Sequence, residues 1–102
     1  MGKYTCARPV HPGEILKEEI TYRGIPQVKL AAQMGMSYKE LNHILNERRA
    51  LTPATAMLFE AALGTPAEML MGVQTDYNMR VLKQDKLFSD RLAQIRQMAS
   101  MS

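Results

Sequence analysis

Residues 26–45 read PQVKLAAQMGMSYKELNHIL, and this stretch decides the predicted fold. It indicates two short helices, from residue 26 to about residue 34 and from residue 38 to about residue 46, joined by a tight turn. Ala31 is small enough for the helices to approach closely, and Gly35 can adopt the positive φ that a sharp turn requires. Apolar side chains from both helices and the turn are predicted to point inward: Leu30, Met34, Met36, Leu41 and Ile44. The pattern predicts a helix-turn-helix, in which two helices cross steeply over a very short connection.

The second of these helices has a predicted start and a distinctive outer face. Ser37 and Glu40 have the spacing of a capping box. Opposite the apolar side chains lie five polar ones, none of them a carboxylate: Tyr38, Lys39, Asn42, His43 and Asn46. The second helix of a helix-turn-helix enters the major groove of DNA, where base edges present distinct donors and acceptors. We expect Asn42 to pair with adenine and Lys39 with guanine. Ser37 and Tyr38 are placed to reach a base edge or a phosphate.

Candidate phosphate contacts flank this face. Gln27 and Lys29 lie at the start of the first helix, whose exposed N–H groups favour an anion. Arg48 and Arg49 follow the second helix and can clamp the DNA backbone without reading sequence. The alternative is that the whole face is only solvated surface. A pair of arginines is common on protein surfaces without a binding role, and two nearby glutamates reduce the local positive charge. The predicted DNA-binding residues are Gln27, Lys29, Ser37, Tyr38, Lys39, Asn42, His43, Asn46, Arg48 and Arg49.

The rest of the chain also predicts helices. With 102 residues it is long enough for one compact core and too short for two ordinary domains. Ala, Leu and Met are plentiful while Trp is absent, which favours an all-α fold. Predicted helix starts lie at Pro12, at Pro53 and, through a second capping box, at Thr65 with Glu68. The sequence predicts five or six helices without a β-strand, and its formal net charge of +3 is compatible with a nucleic-acid partner.

The domain organisation follows from these patterns. We predict an N-terminal arm over residues 1–10, a DNA-binding domain over residues 11–75 and a C-terminal helical extension over residues 76–102. The extension carries an apolar stripe at helical spacing, formed by Tyr77, Val81, Phe88, Leu92 and Ile95. This stripe either folds back on the core or forms a homodimer seam or a partner-binding surface, since an apolar helix face left in water is costly. The basic residues around it are solvated, contact phosphate or face an acidic partner, and these three alternatives stay open.

Composition and spacing argue against several other classes of protein. The single cysteine, Cys6, cannot form an internal disulfide, which favours a reducing cytoplasm. We find neither an apolar run that could cross a membrane nor the apolar core of a secretion signal. Cys6 and His11 are close in sequence, but we expect both in a mobile arm without a third group to orient them. His11 and His43 have no further ligands at metal spacing. We predict a cytoplasmic protein that is not an enzyme, with no catalytic residue, metal, cofactor, small-molecule substrate or membrane partner.

Three segments resemble a known family. They are HPGEIL at residues 11–16, NERRALTP at residues 46–53 and ALGTPAEML at residues 62–70. Together with the helix-turn-helix they make residues 11–80 similar to the HigA antitoxin branch of the XRE-type, lambda-repressor-like proteins. The resemblance implies a five-helix core and a homodimer that binds palindromic operator DNA and represses its own operon. It also implies neutralisation of a HigB-type toxin, an RNA-cleaving nuclease of the RelE superfamily.

The resemblance also implies roles for individual residues, and this chain differs from many relatives at three places. It places Gln27, Ser37, Tyr38, Lys39, Asn42, His43, Arg48 and Arg49 at DNA-facing positions. Many relatives have a glycine where Glu47 stands, an Arg-Gln pair where Tyr38 and Lys39 stand, and a Ser or Thr cap where Ile25 stands. Two alternative functions remain at this point. One is a standalone regulator of the same family without a toxin, and the other is a protein-interaction module that does not bind DNA.

Overall fold

The structure, a computed structural model, describes residues 8–101, and in this range the chain forms six helices and no strand. The helices are α1 (Pro12–Arg23), α2 (Gln27–Met34), α3 (Tyr38–Leu45), α4 (Pro53–Leu63), α5 (Ala67–Lys83) and α6 (Lys86–Met101). The predicted all-α class, with five core helices and one further C-terminal helix, is confirmed. Most of the predicted N-terminal arm, and Cys6 with it, lies outside the described residues.

Local signals place most helix ends. The hydroxyl of Ser37 accepts a hydrogen bond from the backbone N–H of Glu40 at 3.0 Å, and the Glu40 carboxylate accepts one from the N–H of Ser37 at 3.3 Å, so the predicted capping box forms. Thr52 caps α4 in the same way, accepting from the N–H of Thr55 at 3.3 Å, with Pro53 at the first helical position. These ends depend on contacts within four residues, which is why the sequence predicts them.

The second predicted capping box, at Thr65, is wrong. The helix begins one residue later than the box requires, because Pro66 has an extended backbone with ψ of 129° and itself occupies the cap position. Pro66 has no side-chain acceptor, and no side-chain hydrogen bond caps α5. Pro26 caps α2 in the same way, so α2 also starts one residue after the proline rather than at it.

The core lies among the first five helices. Leu16 and Ile20 of α1, the inner faces of α2 and α3, and Phe59 of α4 form one buried cluster that Leu70 of α5 completes. Phe59 and Leu70 are fully buried. No residue of α6 is buried, so this helix contributes nothing to the core. The cluster fixes the angle between α2 and α3 because both helices bury their apolar faces in it.

His11 belongs to this folded body, so the prediction of a mobile arm is wrong for this residue. Its side chain is only 3% exposed, and its Nδ1 accepts a hydrogen bond from the N–H of Gly13 at 2.9 Å, which caps α1. Gly13 lies so close to α3 that a Cβ there would come within 2.0 Å of the carbonyl oxygen of Ile44. The start of α1 is therefore docked on α3, an arrangement that depends on tertiary packing rather than on local sequence signals.

The C-terminal region is elongated. The predicted boundary between residues 75 and 76 falls inside α5, and the chain bends instead at Gln84 and Asp85, where the Asp85 carboxylate accepts a hydrogen bond from the N–H of Phe88 at 3.1 Å. Beyond this bend α6 packs against α5, and the described chain measures 57 × 29 × 22 Å. No helix within residues 8–101 has both the length and the apolarity needed to cross a membrane.

Candidate nucleic-acid interface

The α2–α3 pair forms a helix-turn-helix. Gly35 has φ of 72° and ψ of 28°, and its N–H and that of Met36 donate to the carbonyl groups of Ala32 and Ala31 at 3.2 and 3.0 Å. This closes the end of α2 and redirects the chain within two residues. Met36 packs against the core from the turn, and α3 starts directly afterwards at Tyr38. The short connection places the outer face of α3 on the surface of the molecule.

The predicted base-reading side chains lie on this outer face. Leu41, Ile44 and Leu45 are buried, and they hold one side of α3 against the core. The remaining sides carry the exposed or half-buried polar residues Ser37, Tyr38, Lys39, Asn42, His43 and Asn46, with the exposed carboxylate of Glu40 at their edge. Because most of them follow one another at helical spacing, they form one continuous polar surface on the first two turns of α3. We call this surface the α3 face.

Asn42 links the α3 face to the start of α2. Its side-chain Nδ2 donates to the Oε1 of Gln27 at 3.5 Å, and both side chains are half-buried. Each of two primary amides in contact keeps a free donor or acceptor. The pair can therefore form a further hydrogen bond with a group outside the protein. Gln27 and Lys29 lie in the first turn of α2, which has no side-chain cap and no acidic residue. The structure therefore brings together the two groups that the sequence placed on separate helices.

Asn46 is held at the other end of the α3 face. Its Nδ2 donates to the backbone carbonyl of Asn42 at 2.9 Å, and its Oδ1 accepts from the ammonium of Lys17 at 2.9 Å. Lys17 lies on α1, 29 residues away in sequence, and sequence analysis missed it. Nothing in the local pattern distinguishes Lys17 from other exposed lysines on a helix. Its position adds one cation at the edge of the α3 face.

The loop after α3 has an unusual backbone. Glu47 has φ of 64°, the only positive φ among the non-glycine residues of the described range. The resemblance noted above places a glycine here in many relatives, and this left-handed conformation explains that preference. The N–H of Arg48 donates to the carbonyl of His43 at 2.8 Å, which folds the loop back along α3.

Arg48 and Arg49 differ in their surroundings although both are exposed. The guanidinium of Arg49 lies 3.2 Å from the carboxylate of Glu40, so this arginine forms an ion pair with α3 itself. The Arg48 side chain makes no ion pair or hydrogen bond within residues 8–101. The sequence predicts Glu40 as a capping residue but not its pairing with Arg49.

The same region holds one titratable group with a displaced pKa. Burial lowers the pKa of His11 below its usual 6.5, while the carboxylate of Glu47 and a hydrogen bond to the backbone of Arg49 act in the opposite direction. His11 therefore connects the start of α1 to the loop that carries both arginines. Within residues 8–101 no three His, Cys, Asp or Glu side chains come together as ligands for a metal ion.

Two helices crossing over a glycine turn, with a polar outer face and cations at its edges, define a helix-turn-helix protein. The chain belongs to the helix-turn-helix family HTH_3, whose family model matches residues 16–70. It is 35% identical over 78 residues to virulence-associated protein I of Dichelobacter nodosus, which covers 76% of this chain and 72% of that protein.

Solved structures of antitoxins are similar to this chain. Antitoxin GraA shares 34% identity with a TM-score of 0.73, over 76% of this chain and 85% of GraA. The antitoxin HigA of Pseudomonas aeruginosa, whose structure contains the higBA promoter, shares 27% identity with a TM-score of 0.70, over 88% of this chain and 94% of HigA. The resemblance to HigA-type antitoxins of the XRE group is confirmed.

Proposed function

We propose that this chain is a sequence-specific repressor that binds operator DNA with the α3 face in the major groove. The observation that carries the proposal is the α3 face itself, a continuous surface of amides, hydroxyls, one imidazole and one lysine that the turn at Gly35 leaves exposed or half-buried. Asn42 is suited to the N6 and N7 atoms of adenine, and Lys39 to the O6 or N7 of guanine. The similarity to HigA, whose structure contains promoter DNA, supports the assignment.

Cations at the edges of the α3 face supply the proposed phosphate contacts. Lys29 lies in the first turn of α2, beside uncapped backbone N–H groups that favour an anion. Arg48 lies in the loop after α3 and is not engaged by another side chain within residues 8–101. Ser37, Tyr38, His43 and Asn46 extend the surface toward the backbone or further base edges. Such contacts fix the docking orientation and make affinity salt-dependent.

The proposed assembly is a homodimer on a palindromic site. Two copies of α3 then enter major grooves about 34–36 Å apart, one helical turn along the DNA. The C-terminal extension provides an apolar surface for this contact, since Ile95 is 54% exposed and Leu87 is 84% exposed. Of the other residues in the predicted stripe, Phe88 and Leu92 are half-buried, Val81 is exposed and Tyr77 packs on His11.

We also propose that the chain is an antitoxin that neutralises a toxin of the HigB type. The support is the similarity over most of the chain to GraA and HigA, both of which are antitoxins. Co-expression with the neighbouring small basic reading frame tests this part, and we expect a stable complex and restored growth. Toxicity that persists in the presence of the chain would contradict the antitoxin role and favour a standalone regulator.

A fluorescence anisotropy titration tests the DNA-binding part. The probe is a labelled duplex from the region upstream of the chain's own transcription unit, and a shuffled duplex of the same composition is the control. We expect tighter binding to the upstream duplex and a linear fall of log affinity with log salt for both. Absence of salt-sensitive binding to either duplex would contradict the proposal and favour a protein-interaction module.

A further inference from the structure

The pairing of Glu40 with Arg49 places a charge-compensated pair at the edge of the α3 face. The two residues are nine positions apart, and the loop that begins at Glu47 carries Arg49 back along the flank of α3. One carboxylate oxygen of Glu40 accepts from the N–H and hydroxyl of Ser37 at 3.3 and 3.4 Å, and the other accepts from the Nη1 of Arg49 at 3.2 Å. Both oxygens are therefore occupied.

Helix capping alone does not require an acid at this position. A glutamine at the third helical position completes a capping box equally well. The capping hydrogen bonds therefore do not need the negative charge of Glu40, and this charge costs affinity beside a polyanion unless a cation cancels it. Arg49 is that cation. Arg48, one residue earlier, has no such partner within residues 8–101.

The pair alters the sequence-independent part of DNA affinity. Each arginine that reaches a phosphate releases about one counterion and steepens the salt dependence of binding by about 0.9. An arginine held by a carboxylate does neither. The ion pair is half-exposed and adds little to folding stability, so its consequence lies in the charge that the surface presents to DNA.

We propose that Glu40 is a positioning residue that holds Arg49 alongside α3 and withholds it from phosphate, which limits non-specific DNA binding. This proposal rests on the DNA-binding function proposed above. It replaces the predicted role of Arg49 as a phosphate clamp and leaves that role to Arg48. Weaker non-specific binding leaves more of the protein free to find an operator among competing genomic sites.

The test uses a mixed-sequence duplex, because the operator is not needed to measure this effect. Glu40→Gln keeps one oxygen for the capping box and removes the charge and the second oxygen that holds Arg49. We expect its affinity for the mixed duplex at 50 mM salt to rise roughly three- to tenfold, and its salt slope to steepen by about 0.9. Its advantage over the unmodified chain should then shrink about 3.5-fold between 50 and 200 mM salt. A merely structural role of Glu40 would not steepen this slope.

The double variant Glu40→Gln with Arg49→Gln separates the two possible roles of Arg49. If the pair persists on DNA, the double variant keeps the salt slope of the unmodified chain and an affinity within about twofold of it. If Arg49 contacts phosphate in the complex, the slope falls by about 0.9 and the proposal is overturned.

Glu19→Gln is the matched charge control. Glu19 pairs with Arg23 on α1, so this change removes the same charge from a partly exposed ion pair outside the helix-turn-helix. We expect it to change affinity far less than Glu40→Gln does. Equal effects of the two changes would mean that net charge alone acts, which would overturn the positioning role. Absence of DNA binding by the unmodified chain would overturn both this proposal and the proposed function.

Discussion

The ring of Tyr77 stands edge-on to the buried imidazole of His11, with centroids 4.9 Å apart and an interplanar angle of 80°. This contact joins the middle of α5 to the cap of α1. Because Nδ1 accepts from the N–H of Gly13, His11 must be neutral in this arrangement. Its protonation state is therefore coupled to the packing of α1 and α5.

Folding stability should depend on pH through His11. Burial lowers its pKa in the folded state below 6.5, so the unfolded chain binds the proton more readily. The resulting stability is fully present above about pH 6.5 and is lost as pH falls through the lowered folded-state pKa. Urea unfolding between about pH 5 and pH 7.5, above the range where most carboxylates titrate, should show this decline.

His11→Asn is the control for this pH dependence. Asparagine offers a side-chain oxygen that can cap α1 but does not titrate. The variant should lose the ring contact with Tyr77, at a cost of about 1 kcal/mol, and its stability should change much less between pH 5 and pH 7.5. An unchanged pH dependence in this variant would assign the effect to other groups.

The close approach of α1 to α3 should make Gly13 intolerant of a side chain. A Cβ at Gly13 would lie 2.0 Å from the carbonyl oxygen of Ile44, so Gly13→Ala must push the helices apart. We expect a loss of about 1–3 kcal/mol in the free energy of unfolding. Gly72→Ala is the matched control, because Gly72 also lies in a helix, α5, and a Cβ there would have no neighbouring atom within 4 Å. Gly72→Ala should raise the free energy of unfolding by about 0.5–1 kcal/mol. Equal effects of the two changes in urea titrations would show that the close approach at Gly13 does not limit the side chain.

Glycine should be favourable at position 47. Glu47 adopts φ of 64°, a conformation that costs a residue with a side chain about 1 kcal/mol and glycine almost nothing. Glu47→Gly should therefore raise the free energy of unfolding by about 0.5–1 kcal/mol. Ala50→Gly in the same loop has no positive φ to relieve and should lower it by a few tenths of a kcal/mol. Thermal unfolding of both variants decides whether the backbone at Glu47 is strained.

Base readers and phosphate contacts should be separable by their effects on DNA binding. Asn42→Ala should cost about 1–3 kcal/mol on the upstream duplex and relax the preference at one base pair, with little change on shuffled DNA. Arg48→Ala should weaken binding to both duplexes and reduce the salt slope by about 0.9. If Asn42→Ala weakens binding to both duplexes equally, Asn42 does not read a base.

Much of this architecture was predictable because its determinants are local. The helix starts at Ser37 and Thr52 each depend on a side chain and a backbone N–H three residues later, a spacing visible in the sequence. The turn at Gly35 was predictable for the same reason. The start of α5 was predicted wrongly because Thr65 and Pro66 suit two adjacent registers, and only the folded backbone selects the later one.

The side-chain contacts that the sequence does not predict join residues that only the fold brings together. Lys17 reaches Asn46 across 29 residues, and Arg49 reaches Glu40 across the loop after α3. The buried imidazole of His11 packs on Tyr77 of α5, 66 positions further along the chain. No spacing rule links such positions, since their proximity is a result of the fold. The outward placement of the predicted α3 residues was therefore predictable, but the contacts that orient their side chains were not.

The exposed face of α6 should act in assembly rather than in the stability of one protomer. Ile95 and Met98 are 54% and 70% exposed, so a charge at either position removes little buried contact within the protomer. In the proposed homodimer, Ile95→Asp with Met98→Asp should leave the melting temperature at low concentration nearly unchanged but shift sedimentation from dimer toward monomer. Met57→Asp on α4, at a side chain 64% exposed, is the control and should leave the dimer intact. If the α6 variant stays dimeric, the dimer interface lies on another surface of the chain.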